Sequence, residues 1–259
     1  MKTQQSQFMI KIRLTLLAVI CLFITSCETE KHKFPTEKRY WDTNDYADVV
    51  RELLYGYEQD EKLPTFDDPK TRVIVEKLTD QQNFKVVLDD NELGLKHKNE
   101  IAKDFFNRWR DMQDIYQATD RKDNYLYDKE MIEVWQFGLS LQLKYFKLGN
   151  DNILISADDP DSYQTKNNVN SNIKTLIKNF LIYLDEINNE KAFSEQGKEL
   201  FAKGIDNYFT ELIEFYPNAN YGSMEKKIEL MLNKTQTEKI KNSLTKIKEL
   251  IESKKQQEL

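Results

Sequence analysis

Cysteine is nearly absent from this chain: Cys21 and Cys27 are the only two in 259 residues. Both lie in the first 27 positions, so residues 28–259 can form no disulfide, offer no thiolate nucleophile and build no cysteine-based zinc site. Histidine is as scarce, at His32 and His97. The Glu-x-x-His signature of di-iron bundles and the His-Glu-x-x-His signature of zinc proteases are both missing. A transition-metal centre would have to rest on carboxylates, and neither metal nor cofactor is expected. Seven glycines and five prolines are too few for a sheet protein with tight hairpins. No glycine-rich loop is present to cradle a phosphate. No apolar run reaches the roughly 20 residues that a membrane-spanning helix needs.

What is there begins with an address. Residues 1–13 carry Lys2, Lys11 and Arg13 and no acid, and the apolar stretch Leu14–Ile24 follows. This is the layout of a secretory signal. It ends in Ile24-Thr25-Ser26-Cys27, an aliphatic residue and two small ones before cysteine. That ending resembles the lipobox of bacterial lipoproteins. The resemblance covers only the first 27 residues. It implies cleavage before Cys27, a lipidation site on Cys27 and attachment of the remainder to a membrane, with the cell outer membrane as the expected location. Each buried CH₂ of an acyl chain contributes about 0.8 kcal/mol, so two or three chains on one cysteine anchor the protein durably.

Residues 28–39 are charged and contain Pro35, and they read as a tether that spans at most about 40 Å when extended. Glu28, Glu30 and Lys31 partly resemble the acidic stretch that follows the cysteine in surface-exported lipoproteins of Bacteroidota. The expected organisation is a signal over 1–26, a lipidated tether over 27–39 and a helical domain over 40–259. The signal holds three of the 38 basic residues and none of the 44 acids, so the remainder carries a formal charge of −9. An acidic surface excludes a nucleic-acid partner held through phosphates and is compatible with a basic protein partner.

Long breaker-free stretches with apolar residues at helical spacing predict an all-α fold, a single bundle of about six or seven helices. Tyr46, Val49, Val50, Leu53, Leu54 and Tyr57 mark a first helix, and Val73, Ile74 and Leu78 a short second one. Phe84–Leu88 reads equally as a strand or as a buried helical turn. Ile101, Phe105, Trp109, Met112 and Tyr116 line one helix over 97–117. A second over 128–148 is apolar on nearly all sides and is expected to be the central element. Gly149-Asn150 is expected to end it, and 150–168 to form the longest loop. Ile173–Ile187 marks the next helix. Ser194 is an expected N-cap for another that Pro217 stops. A short helix over 223–233 precedes Thr235-Gln236-Thr237-Glu238, a capping-box pattern. The last helix carries Ile240, Leu244, Ile247 and Ile251 as a narrow stripe, which either packs on the bundle or grips a partner. Docking on its own domain is the expectation. No repeat of fixed period is present, which excludes a solenoid.

Motifs with chemical meaning are few. Asp89-Asp90-Asn91-Glu92-Leu93-Gly94 with Glu100 matches part of an EF-hand calcium loop but places Leu93 where an oxygen ligand belongs, so a polar turn is expected. Gly138-Leu139-Ser140-Leu141-Gln142 lacks the last glycine of a nucleophile elbow and lies inside the most apolar helix. Glu252-Ser253 has no glycine-rich segment after it, unlike the catalytic pair of lytic transglycosylases. The Asp158, Asp159 and Asp161 cluster around Pro160 reads as a solvated turn. Tyr40, Trp41, Tyr125 and Tyr127 fall near helix starts or in loops, where rings either anchor a partner or close the ends of a bundle.

No catalytic residues are assigned. The leading expectation is a non-catalytic envelope lipoprotein that binds a protein partner, as a scaffold or as an immunity-type neutraliser of a toxin. A sugar- or peptide-binding lipoprotein with an aromatic-lined cleft is the alternative. A hydrolase that uses two carboxylates is the third reading.

Overall fold

The structure, a computed structural model, describes residues 33–122 and 124–257. The signal, Cys27 and the first half of the tether lie outside the described residues. The compact unit begins at Phe34, six residues before the expected domain start. Residues 34–39 are therefore not free tether. Phe34 packs on the core, Trp41 Nε1 donates to the Pro35 carbonyl (2.9 Å), and Lys77 Nζ donates to the carbonyls of Lys38 (2.6 Å) and Arg39 (2.7 Å).

Helix α1 (Thr43–Glu58) starts because Asp42 and Asp45 form a reciprocal capping box. Asp42 Oδ1 accepts from the backbone N–H groups of Asn44 and Asp45, and Asp45 Oδ2 accepts from that of Asp42. Its buried face carries Tyr46, Val49, Val50 and Leu53, as the spacing predicts. Short helices α2 (Arg72–Leu78) and α3 (Gln82–Leu88) follow. The ambiguous Phe84–Leu88 is thus helical: Phe84 is buried among Phe105 and Phe137, and Asn83 accepts from the Trp41 backbone N–H.

The two longest helices, α4 (Leu95–Lys122) and α5 (Asp128–Ser156), pack together as a hairpin. Asn124 and Tyr125 in the turn both take left-handed backbone, with φ of 56° and 63°. That conformation is costly for tyrosine. It is held by Tyr125 N–H on the Asp120 carbonyl (2.6 Å) and by the Tyr127 N–H on the Asp120 carboxylate. Helix α5 is the central element: between Met131 and Leu143 every residue except Glu133 is buried. It does not end at Gly149. Asn150 is buried, donates towards Tyr216 Oη (3.4 Å) and accepts from Asn172 Nδ2 (3.0 Å). These tertiary bonds hold Gly149-Asn150 in helix, and the expected loop over 150–168 shrinks to 157–162.

Helix α6 (Tyr163–Asp185), capped by Ser162, packs along α5 and continues into a 3₁₀ segment, Glu186–Ala192. Ser194 caps α7 (Glu195–Gly204) as predicted, its Oγ accepting from the Gly197 N–H. A π turn (Ile205–Phe209) then leads into α8 (Thr210–Phe215). Just before the π turn, the Leu200 carbonyl accepts from Gln136 Nε2 (2.8 Å) and the Phe201 carbonyl from Tyr183 Oη (3.1 Å). Side chains of α5 and α6 are thereby tied to the last turns of α7, just ahead of the π turn. Helices α9 (Gly222–Lys234) and α10 (Glu238–Gln257) close the body. The α10 stripe packs on the bundle, with Ile240, Leu244, Ile247 and Ile251 all buried. The fold is all-α, with no strand among the described residues.

Buried carboxylates act here as clasps between elements. Glu130 Oε1 accepts from Thr65 Oγ1 (2.7 Å) and the Phe66 N–H (2.5 Å), fixing the break after α1. Asp128 Oδ2 accepts from the Ser194 N–H (2.7 Å) and Oγ (2.8 Å), fixing the start of α7. A Cβ at Gly197 would stand 2.1 Å from that same oxygen, so the clasp requires glycine there. Glu190 holds the α9–α10 link by accepting from Thr235 Oγ1 (2.5 Å) and the Gln236 N–H (2.6 Å). The expected capping box from Thr235 is not formed: α10 begins only at Glu238, and Thr235 Oγ1 donates to Glu190 while accepting from the Thr237 N–H (3.2 Å). Glu190→Ala should destabilise the body by about 2–3 kcal/mol, because it strands buried donors. Glu190→Gln, which keeps an acceptor, should cost less. Urea unfolding of the two variants against wild type checks the order.

Candidate functional site

An open cleft of about 430 Å³ lies between α4, α5 and α6. Ligand clefts commonly enclose about 300–1,000 Å³. From α4 come Phe106, Trp109, Arg110, Gln113, Asp114 and Gln117, the stripe next to the one that faces the core. From α5 come Trp135, Leu139 and Gln142, from α6 Asn179, Ile182 and Tyr183, and from the 3₁₀ segment that continues it Glu186. Each set repeats at three- and four-residue spacing, so three helix faces converge on one space.

The aromatic side of the cleft is built by a close approach. A Cβ at Gly138 would meet the Trp109 ring at 1.9 Å, so the indole lies directly on the α5 backbone where only glycine leaves room. Trp109 Nε1 donates to the Val134 carbonyl (2.8 Å), which fixes the ring and satisfies its single polar atom. Phe106 packs beside it with centroids 5.3 Å apart and stacks on Tyr145 at 5.4 Å. Trp135 is almost wholly buried and meets Tyr183 edge-on at 6.1 Å. Burial pushes the Tyr183 phenol well above its ordinary pKa, so it remains a neutral donor, used on Phe201.

The polar side is made of amides. Asn179 Nδ2 donates to Gln142 Oε1 (2.9 Å), which orients the Gln142 amide. At one end Glu186 accepts from Asn189 Nδ2 (2.9 Å) and lies 3.5 Å from both Gln117 Nε2 and the Arg121 guanidinium. Both charge signs line the cleft: Arg110, Asp114 and Glu186. Ile182 stands at the rim, 57 % exposed.

None of the four rings singled out in the sequence lines this cleft. Trp41 is fully buried, edge-on to Tyr46 at 5.7 Å, with its backbone N–H taken by Asn83 of α3 and its indole N–H by the Pro35 carbonyl. Tyr127 is also buried, with its hydroxyl accepting from the Leu63 N–H (3.1 Å). Neither offers a surface to a partner, which corrects that expectation. Tyr125 is half-buried in the hairpin turn against Phe193, and Tyr40 is half-buried under the Arg39 guanidinium. The rings that do meet at a cleft, Trp109 and Trp135, carry a helical core period and so look like ordinary core. The signal that could have found them is the run of polar residues in register beside them: Arg110, Gln113 and Gln117, and Gln142 within the most apolar helix.

The remaining motifs resolve into packing and turns. Ser140 Oγ donates to Gln81 Oε1 (2.9 Å), while Gln81 Nε2 bonds Tyr208 Oη (2.5 Å). Burial pushes Tyr208 up to about 12 and raises Glu133 above its ordinary value, the latter opposed by Lys203. In the loop once compared with a calcium site, Asp89 pairs with Lys144 (2.7 Å) and Asp90 accepts from the Glu92 N–H. Glu100 lies within α4, 3.7 Å from His97. Among the described residues no cluster of three or more metal-ligating side chains occurs, and no helix is long and apolar enough to cross a membrane. No protein-family model matches the chain, and neither does any curated protein or any solved structure.

Proposed function

We propose that this chain is a lipid-anchored protein of the cell envelope whose helical body binds a small polar ligand in the α4–α5–α6 cleft and leaves it chemically unchanged. The carrying observation is the cleft itself, whose lining combines aromatic rings with side-chain amides. Amphipathic lining with a few oriented polar groups is what ligand sites share. The anchor rests on Ile24-Thr25-Ser26-Cys27 and suits an outer-membrane location.

A second reading, a protein partner of the envelope, is favoured by a different feature. Leu154, Ile155 and Tyr163 are exposed at the α5–α6 link beside the acidic residues Asp158, Asp159 and Asp161. Exposed apolar side chains with acidic neighbours suit a basic partner surface.

The anchor is tested by Cys27→Ser, expressed in a bacterium with lipoprotein processing. Labelling with a radioactive fatty acid should disappear, and unprocessed precursor should accumulate. Normal labelling and processing of the variant would overturn the anchored reading. The ligand site is tested by Ile182→Arg, which places a long cation at the rim from an exposed position that the core does not need. A ligand that raises the melting temperature of wild type should leave the variant unmoved.

A further inference from the structure

We infer that the ligand of the cleft is a neutral carbohydrate, a short chain of pyranose rings. This rests on the reading of the cleft as a ligand site and goes further by fixing the chemistry of what fills it.

The first argument is the type of polar group available. The cleft is walled by three helices, whose backbone N–H and C=O groups are consumed within the helices. An extended peptide is usually held through its main chain by a free sheet edge, and none exists in the described fold. A peptide helix needs a continuous apolar groove, whereas this cleft is broken by Gln113, Gln117, Gln142 and Asn179. Recognition must come from side-chain amides. An amide presents a donor and an acceptor side by side, and a hydroxyl is likewise both. Vicinal hydroxyls on a sugar ring therefore match an array of amides in a way that few other small ligands do.

The second argument is the aromatic wall. Trp109 has its only polar atom satisfied by Val134 and one side against Gly138, so what it gives the cleft is apolar surface. The axial C–H groups of a pyranose make a flat apolar face, and a ring that is apolar on its faces and polar around its edge suits a lining that mixes indole with amide side chains. Phe106 extends the apolar wall along α4 by one turn.

The third argument is charge. The lining carries one guanidinium, Arg110, and two carboxylates, Asp114 and Glu186, the latter 3.5 Å from Arg121. A phosphorylated or acidic ligand would meet two carboxylates, and a cationic one would meet the Arg110 guanidinium. Neutral ligands avoid both penalties.

The test uses the full chain in detergent, titrated calorimetrically with cellohexaose, maltohexaose and N-acetylchitohexaose, and in parallel with neutral and charged tripeptides. At least one hexasaccharide should bind, with affinity reduced roughly tenfold or more by Trp109→Ala. Gln113→Ala should weaken the same titration by about fivefold. Ile182→Arg should abolish it. Because truncation at Trp109 can disturb packing, Gln113→Ala and Ile182→Arg keep the test interpretable, and their melting curves should match wild type. Saccharide binding unchanged in Ile182→Arg would overturn the inference, since the sugar would then sit elsewhere. Tripeptide binding that Ile182→Arg abolishes, without saccharide binding, would keep the cleft as a ligand site and overturn its assignment to carbohydrate. Binding by neither set would overturn the assignment and withdraw the support it lends to the cleft.

Discussion

Ending the chain at Lys234 should destroy most of the stability of the helical body. Helix α10 buries Ile240, Leu244 and Ile247 completely and Ile251 almost so, against α7, the π turn and α9. Full burial of an aliphatic side chain contributes about 1.5–3 kcal/mol. Four of them approach the whole net stability of a domain, about 5–15 kcal/mol. The partners left uncovered add to the loss, since Phe209, Leu212 and Ile228 are themselves buried. Deletion of 235–259 should therefore give a chain that binds a hydrophobic dye and lacks a cooperative thermal transition. A truncated chain that melts like the full one would show that the stripe serves a partner and not the core.

Trp41→Ala should lower stability by about 3–5 kcal/mol, as truncation of a large buried ring does. The residue ties together segments far apart in sequence. Its ring lies edge-on to Tyr46, its indole N–H holds Pro35, and its backbone N–H is received by Asn83. Tyr46 in turn donates to the Leu78 carbonyl (2.7 Å) and packs on Phe105 and Phe137. Loss of Trp41 should free residues 34–39 as well as open a cavity beneath α1. Tyr40→Ala, one position earlier but half-buried, should stay within about 0.5 kcal/mol of wild type. Equilibrium unfolding in urea separates the two. Equal small effects would mean that Trp41 is a surface ring after all.

The contrast between these neighbours shows where sequence reading was sufficient. Periodicity located the helices because a bundle buries one stripe per helix, and α5 stood out because its apolar residues fill every side. Ser194 and Pro217 bounded their helix by local chemistry alone. The failures were tertiary. Gly149-Asn150 reads as a helix end, yet Asn172 and Tyr216, both distant in sequence, hold Asn150 in helix. Thr235 reads as a cap, yet α10 starts three positions later and the Thr235 hydroxyl donates to Glu190, 45 positions away. Trp41 and Tyr127 sit at helix starts, where nothing local says whether a ring turns inward. The cleft was hidden for the same reason. The stripes on α4, α5 and α6 are each visible as polar residues in register, but their convergence depends on how three helices pack.

Because the chain has three tryptophans, the central claim has a direct readout. Two of them, Trp109 and Trp135, line the α4–α5–α6 cleft, and Trp41 is buried in the α1 core away from its lining. The full chain labelled with 5-fluorotryptophan gives one fluorine resonance for each, assigned by single Trp→Phe substitutions. Titration with the hexasaccharide that binds should shift or broaden the Trp109 and Trp135 resonances and leave that of Trp41 in place. A shift confined to Trp41, or binding that moves none of the three, would contradict the cleft as the ligand site.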